Sequence, residues 1–246
     1  MKAEISVREL NGVTQEEFLA ILSGPADEAA RWLHAAAEQG VTEAQAHYAQ
    51  LLLDGKGVEQ NMREAFLWFR IAASQEHAMA MNMMGRCYEN GWGVQESMLL
   101  ATYWFRLAAQ AGLDWGMYNY ATSLALGRGV EADREEAFLW LGKAAALDHA
   151  KSWNLLGGFH EDGWTGAVDM AAALDCYRKA AAGGDFRGEF NYGRLLASRG
   201  ELTMALDRFV RAYRNPSATA AFRDKLRRYL EESPVDALRD LRAALD

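Results

Sequence analysis

His160-Glu161-Asp162 sets an imidazole and two carboxylates side by side, the donor types that hold zinc. A protein zinc site needs three or four ligands converging from separated positions. No second patterned ligand accompanies this triplet, so it reads as the solvated end of a helix. His77 and His149 lie 72 residues apart, and a shared register points to structural repetition rather than to a metal centre. Cys87 and Cys176 occupy different registers; each reads as a buried thiol serving as a small hydrophobe, with no disulfide framework. The Gly-x-Gly elements starting at Gly55, Gly91 and Gly127 could cradle phosphate only with Walker spacing or a full dinucleotide fingerprint, and they have neither. Ser-x-x-Lys, Gly-x-Ser-x-Gly and His-Glu-x-x-His are absent. The expectation is therefore no catalytic residue, no cofactor, no metal and no enzyme. What remains is the chemistry of recognition, carried by asparagine, arginine and aromatic side chains whose placement depends on the elements beneath them.

Those elements repeat. Gly55-Lys56-Gly57-Val58 recurs as Gly91-Trp92-Gly93-Val94 and as Gly127-Arg128-Gly129-Val130, each 36 residues after the last. Ala65, Ala101 and Ala137 follow in step, as do Trp68, Trp104 and Trp140. A fixed period of this length marks a stacked repeat. Six residues before each first Gly stands a small residue (Ala49, Gly85, Ala121, Gly157), preceded by a large one (Tyr48, Met84, Tyr120, Leu156). Phe69, Phe105, Leu141 and Tyr177 share a slot in the following segment, with Ala pairs behind them at helical spacing. Each copy thus predicts a first helix, a glycine turn and a second helix, with the recurring Trp buried as the largest apolar element. Glycine accepts positive φ and so supplies the turn's cap.

Thr14 with Glu17 forms a capping box that opens an abbreviated repeat over residues 14–40. Full repeats are expected at 41–76, 77–112, 113–148 and 149–184, and a shortened one at 185–216. In the fourth full repeat Thr165 and Gly166 replace the second Gly and the Val. Capping helices over 217–246 close the array, the last begun by Ser233 as N-cap with Pro234 in its first turn. All 246 residues form one repeat domain in this reading.

Ala80-x3-Met84-Gly85-x2-Tyr88-x2-Gly91-x-Gly93-Val94, then Ala101-x2-Trp104-Phe105-x2-Ala108-Ala109-x2-Gly112, resembles the Sel1-like repeat, a relative of the tetratricopeptide repeat. The resemblance covers roughly residues 26–212. It implies an all-α fold, an α-solenoid of stacked antiparallel helix pairs wound into a right-handed superhelix with a concave inner face. It also implies adaptor or scaffold roles in protein complexes, often in bacterial signalling or host contact. Some secreted members carry disulfide-linked repeats and were described as β-lactamases; the repeated cysteine pairs of those members are missing here.

In that architecture first helices line the inner face. At about 100° per residue the open side falls 12, 9 and 5 residues before the turn Gly. Twelve before gives Glu43, Met79, Trp115, Lys151 and Arg187; nine before gives Ala46, Asn82, Tyr118, Asn154 and Phe190; five before gives Gln50, Arg86, Thr122, Gly158 and Arg194. Asn119 and Asn191 lie at the edge. The candidate protein-binding residues are Asn82, Arg86, Trp115, Tyr118, Asn119, Asn154, Phe190, Asn191 and Arg194. Asn can pair with a peptide backbone, and Trp, Tyr and Arg are common interface anchors. Trp115, Tyr118 and Phe190 either face a groove or pack on a neighbouring first helix. Trp92 and Trp164 form a second, weaker patch on the turn ridge.

The formal net charge is −8, and residues 1–64 hold 5 Lys/Arg against 11 Asp/Glu. With no basic stripe, nucleic acid is not an expected partner. The N-terminal residues lack an apolar leader core and no apolar run spans a membrane, so the expected compartment is the cytoplasm. The leading expectation is a non-enzymatic adaptor binding a peptide or protein in its groove. A bacterial immunity or antitoxin protein that neutralises a toxic effector is the alternative, and a β-lactamase-type hydrolase the remote one.

Overall fold

The computed structural model describes residues 5–245. Residues 1–4, part of the stretch read for a leader, and Asp246 lie outside the described residues. Among the described residues the chain forms fifteen α-helices and no strand. Two compact units divide it, Met1–Ala132 and Asp133–Asp246. The first holds α1 (Val7–Gly12), α2 (Gln15–Leu22), α3 (Ala26–Glu38), α4 (Thr42–Asp54), α5 (Met62–Ser74), α6 (Ala78–Asn90), α7 (Met98–Gln110) and α8 (Asp114–Leu126). The second holds α9 (Arg134–Ala145), α10 (Ala150–Asp162), α11 (Met170–Ala182), α12 (Phe186–Ser198), α13 (Leu202–Arg214), α14 (Ala220–Glu231) and α15 (Asp236–Ala244). From α2 on, successive helices within each unit pack against one another, while α1 packs on α3, so each helix is stabilised mainly by its near neighbours in sequence.

The helix starts follow local chemistry. Thr14 and Glu17 make the expected capping box on α2, and Ser6 with Glu9 makes another on α1. Asn61, Ser97, Asp133 and Asp169 share one repeat slot and cap α5, α7, α9 and α11 through their side chains. Such caps satisfy donors left bare by the first turn.

Gly55, Gly91, Gly127 and Gly163 end the first helices with φ between 63° and 69°. The second glycine of the turn has a separate duty. A Cβ on Gly57, Gly93 or Gly129 would lie 2.1 Å from the carbonyl oxygen of Ala26, Met62 or Met98 respectively. Each of these carbonyls belongs to the first residue of the preceding repeat's second helix. The loop therefore touches the repeat before it, and only glycine fits. In the fourth loop Thr165 stands in that slot, and Gly166 after it meets nothing within 4 Å. There the Arg134 guanidinium, at the start of α9, instead sits 4.2 Å from the Trp164 ring.

Close helix approach rests on the small residues. A Cβ on Gly85 would lie 2.5 Å from Phe105, and one on Gly157 2.4 Å from Tyr177. Phe69, Phe105, Leu141 and Tyr177 are at most 2% exposed, and Phe209 continues their slot at 0%. The recurring Trp was expected to be the buried bulk of each repeat; Trp68, Trp104 and Trp140 are instead half-buried. The ring-sized slot one residue later takes the core, leaving the indole at its edge. Trp68 packs edge-on to Tyr48, and Trp140 lies under Lys143 Nζ at 3.8 Å while its Nε1–H donates to Glu136. Cys87 and Cys176 are buried and unbridged, and burial pushes their thiols up to about 12 and about 11.

The period fails after α12. Only Arg199–Glu201 join α12 to α13, turning at Gly200 with φ 80°. Asn215-Pro216 ends α13, as the sequence indicates. The last helix starts later than expected: Val235 is the N-cap of α15, and Ser233 Oγ accepts the Val235 N–H at 3.2 Å.

Candidate protein-binding surface

In the first unit Glu43, Met79 and Trp115 occupy one slot of α4, α6 and α8. The Glu43 side chain is 65% exposed, Met79 43% and Trp115 37%. Trp115 stands edge-on to Tyr118, one helical turn away, with centroids 6.2 Å apart. Arg86 is exposed and lies 5.1 Å from the ring of Trp92, whose other side rests on the core. Asn82 is only 3% exposed, and its Oδ1 accepts from Asn119 Nδ2 at 2.8 Å. That bond joins α6 directly to α8, so both asparagines are spent partly on registering neighbouring repeats. A buried amide left unpaired would cost more than such a bond returns.

A cleft of about 310 Å³ opens between α4 and α6, lined among others by Glu43, Gln50, His77, Met79 and Met83. His77 Nδ1 accepts the Ala80 N–H at 3.1 Å, capping α6. With that nitrogen acting as acceptor, the ring proton sits on Nε2, which donates to Glu43 Oε2 at 2.9 Å. His47 Nε2 lies 3.5 Å from Glu43 Oε1. No group of three or more His, Cys, Asp or Glu side chains among the described residues could hold a metal ion. Neither Glu43 nor His77 stood among the candidate residues. The 34-residue offset between them, placing one repeat's first turn opposite the next repeat's cap, was the available signal.

In the second unit Asn154 Oδ1 accepts from Asn191 Nδ2 at 2.9 Å, joining α10 to α12 as Asn82 and Asn119 join α6 to α8. Arg194 donates to Glu161 Oε2 at 2.5 Å, and the Tyr177 hydroxyl donates to the same oxygen at 2.8 Å. Burial would raise the Glu161 carboxyl, but these bonds and the Arg194 charge outweigh it and hold it below the usual glutamate range. Glu161 thus turns away from His160, whose ring packs on Phe138. Phe190 is 6% exposed and enclosed by Phe209, Phe222 and Tyr229. It is a core residue, because α14 closes over its end of α12. Trp164 packs on Phe159 at 4.9 Å.

No helix among the described residues is long and apolar enough to cross a membrane. The sequence profile of the Sel1 repeat matches residues 26–41, 42–77, 78–113, 116–149 and 154–185, more than half of the chain. No curated protein sequence matches it. Among solved structures it is similar to a protective antigen with an SLR fold present in uropathogenic Escherichia coli strains (TM-score 0.73, 22% identity), covering 94% of this chain and 51% of that one. The chain thus spans about half the length of that relative. A Sel1 repeat protein from Oxalobacter formigenes aligns at TM-score 0.79 and 22% identity, over 94% of this chain and 98% of its own. An immunity protein from Pseudomonas aeruginosa aligns at TM-score 0.52 and 18% identity, over 94% and 80%. With five matched copies and helix pairs stacked as in these SLR folds, the chain belongs to the Sel1 repeat family.

Proposed function

We propose that this chain is a non-catalytic binding module that takes a peptide segment or a protein surface on the first-helix side of its first unit. Sel1 repeat proteins are generally interaction modules, and the finer assignment rests on one observation. Met79 and Trp115, large and apolar, are partly exposed, 43% and 37%, at the same slot of successive first helices, where a merely solvated face would favour polar side chains. Arg86, Trp115 and Tyr118 would serve as anchors. Asn119 contributes what its bond to Asn82 leaves over. In the second unit, Asn154, Asn191 and Arg194 act chiefly within the fold. The unbridged cysteines favour a reducing compartment, the cytoplasm.

Selection of a random peptide library on the immobilised protein tests this. Enriched peptides are expected to lose at least about tenfold in affinity for a variant carrying Arg86→Ala, Trp115→Ala and Tyr118→Ala. They should bind a Leu139→Ala control on the second helices unchanged. Undiminished binding to the triple variant would overturn the assignment. The acidic excess of residues 1–64 supports a second, narrower reading, in which the partner is a basic toxic effector. Protection of cells co-expressing such an effector would distinguish it.

A further inference from the structure

We propose that the cleft between α4 and α6 receives the side chain of an arginine or lysine from a partner polypeptide, with Glu43 as its counter-charge. This rests on the first-helix surface being the binding face and names what one part of it recognises.

Glu43 supplies the one carboxylate of the lining, Gln50 and the two histidines supply polar groups, and no Lys or Arg lines the space. Gln50 is itself held by Asp54, both of whose carboxylate oxygens accept from Nε2 at 2.9 Å. The charged group in the lining is thus a carboxylate. It disfavours an anion, and an apolar side chain would cover it without satisfying it.

Glu43 is also aimed. The His77 Nε2–H takes Oε2, and His77 is fixed in turn by its cap on α6. His47 Nε2 lies 3.5 Å from Oε1, and because a carboxylate offers about four lone-pair sites, Glu43, whose side chain is 65% exposed, keeps acceptor capacity beyond its two histidine neighbours. The walls suit the stem of a long cation. Met79 and Met83 are unbranched and polarisable, able to fit methylenes of varied path. Long basic side chains bury their stems along such surfaces while the charged head stays in contact with water or a counter-ion. At about 310 Å³ the space takes one side chain, not a helix.

The 246-residue chain labelled with ¹³C at its methionine methyls reports on the cleft directly, with Met79 and Met83 assigned by Met→Leu substitution. Titration with N-acetyl-arginine amide or N-acetyl-lysine amide is expected to shift both signals saturably. The citrulline analogue, equal in shape to arginine but neutral, should bind at least about tenfold more weakly, as should the arginine probe to Glu43→Gln. Met79→Lys, at an exposed position, places an ammonium in the cleft and should abolish the response. Equal shifts with citrulline, equal affinity in Glu43→Gln, or no saturable shift would overturn the proposal. The outcome separates from that of the surface itself. Library-selected peptides that bind Glu43→Gln normally but fail on the triple variant would refute the cation cleft alone. Peptides indifferent to the triple variant would refute the binding face.

Discussion

Glu161 and Asp185 are carboxylates of the same unit that burial treats in the same way and hydrogen bonding treats differently. Burial raises both, but Arg194 and Tyr177 reverse the sign at Glu161. At Asp185, 5% exposed, burial prevails over the Gly188 N–H and the charge of Arg187, and the carboxyl stays above its ordinary value. The consequences for stability are opposite. The lowered Glu161 contributes fully above the unfolded glutamate value of 4.5 and loses its contribution as pH falls below it. The raised Asp185 contributes fully below 3.8 and loses its contribution as pH rises through the folded value. Asp185→Asn keeps an N-cap acceptor for Gly188, so it is expected to raise the melting temperature at pH 7 and to lose that advantage below about pH 3.8. Glu161→Gln is expected to lower stability at pH 7 by about 2 kcal/mol, since it leaves Arg194 half-buried without its partner. Denaturant melts of both variants across pH 3–8 check the signs.

Among the helices and turns, the two kinds of glycine should be separable. Gly112 has φ 87° and open space around it, whereas Gly93 has φ 70° and the Met62 carbonyl in its way. Gly112→Ala is expected to cost about 1 kcal/mol from backbone strain alone. Gly93→Ala adds a clash with backbone and should cost roughly 3 kcal/mol. Equal losses in urea unfolding would mean that the loop contact carries no energy. The glycines, the Ala slots and the Thr14 box were legible in the sequence because each acts through its own backbone or at a fixed repeat offset. The Asn82–Asn119 and Asn154–Asn191 bonds were not. The repeat pattern shows each asparagine's register but not that one position of a first helix faces the adjacent position of the next. The caps Asn61, Ser97, Asp133 and Asp169 share one 36-residue register, and their polar types carry the signal for a helix start there. Phe190 was misplaced because nothing before residue 217 indicates that α14 folds back over α12. The indoles of Trp68, Trp104 and Trp140 were misjudged because recurrence reports a shared environment, not a dry one.

At the scale of the molecule, stability is local. Each helix borrows its core from its neighbours, so damage should spread along the array and fade with distance. Phe105, 2% exposed, lies against Gly85 of α6, and Phe105→Ala should cost about 3–5 kcal/mol. Hydrogen exchange is expected to show α6, α7 and α8 losing protection together, with α12 and α13 changed far less. Uniform loss over all helices would instead indicate a single cooperative block.

The contact between each second glycine and a carbonyl thirty-one residues earlier, from Gly57 to Ala26, Gly93 to Met62 and Gly129 to Met98, governs how such a gene can lengthen. Gaining or losing one codon inside any of those spans carries the glycine off its mark and breaks the seam. Copying a whole 36-residue module reproduces every seam, because each newcomer arrives with both halves of the clasp. Slippage by single residues is therefore punished where wholesale duplication is tolerated. The divergent fourth loop, with arginine on tryptophan instead, lacks that clasp, so a copy of its module would not carry the seam along.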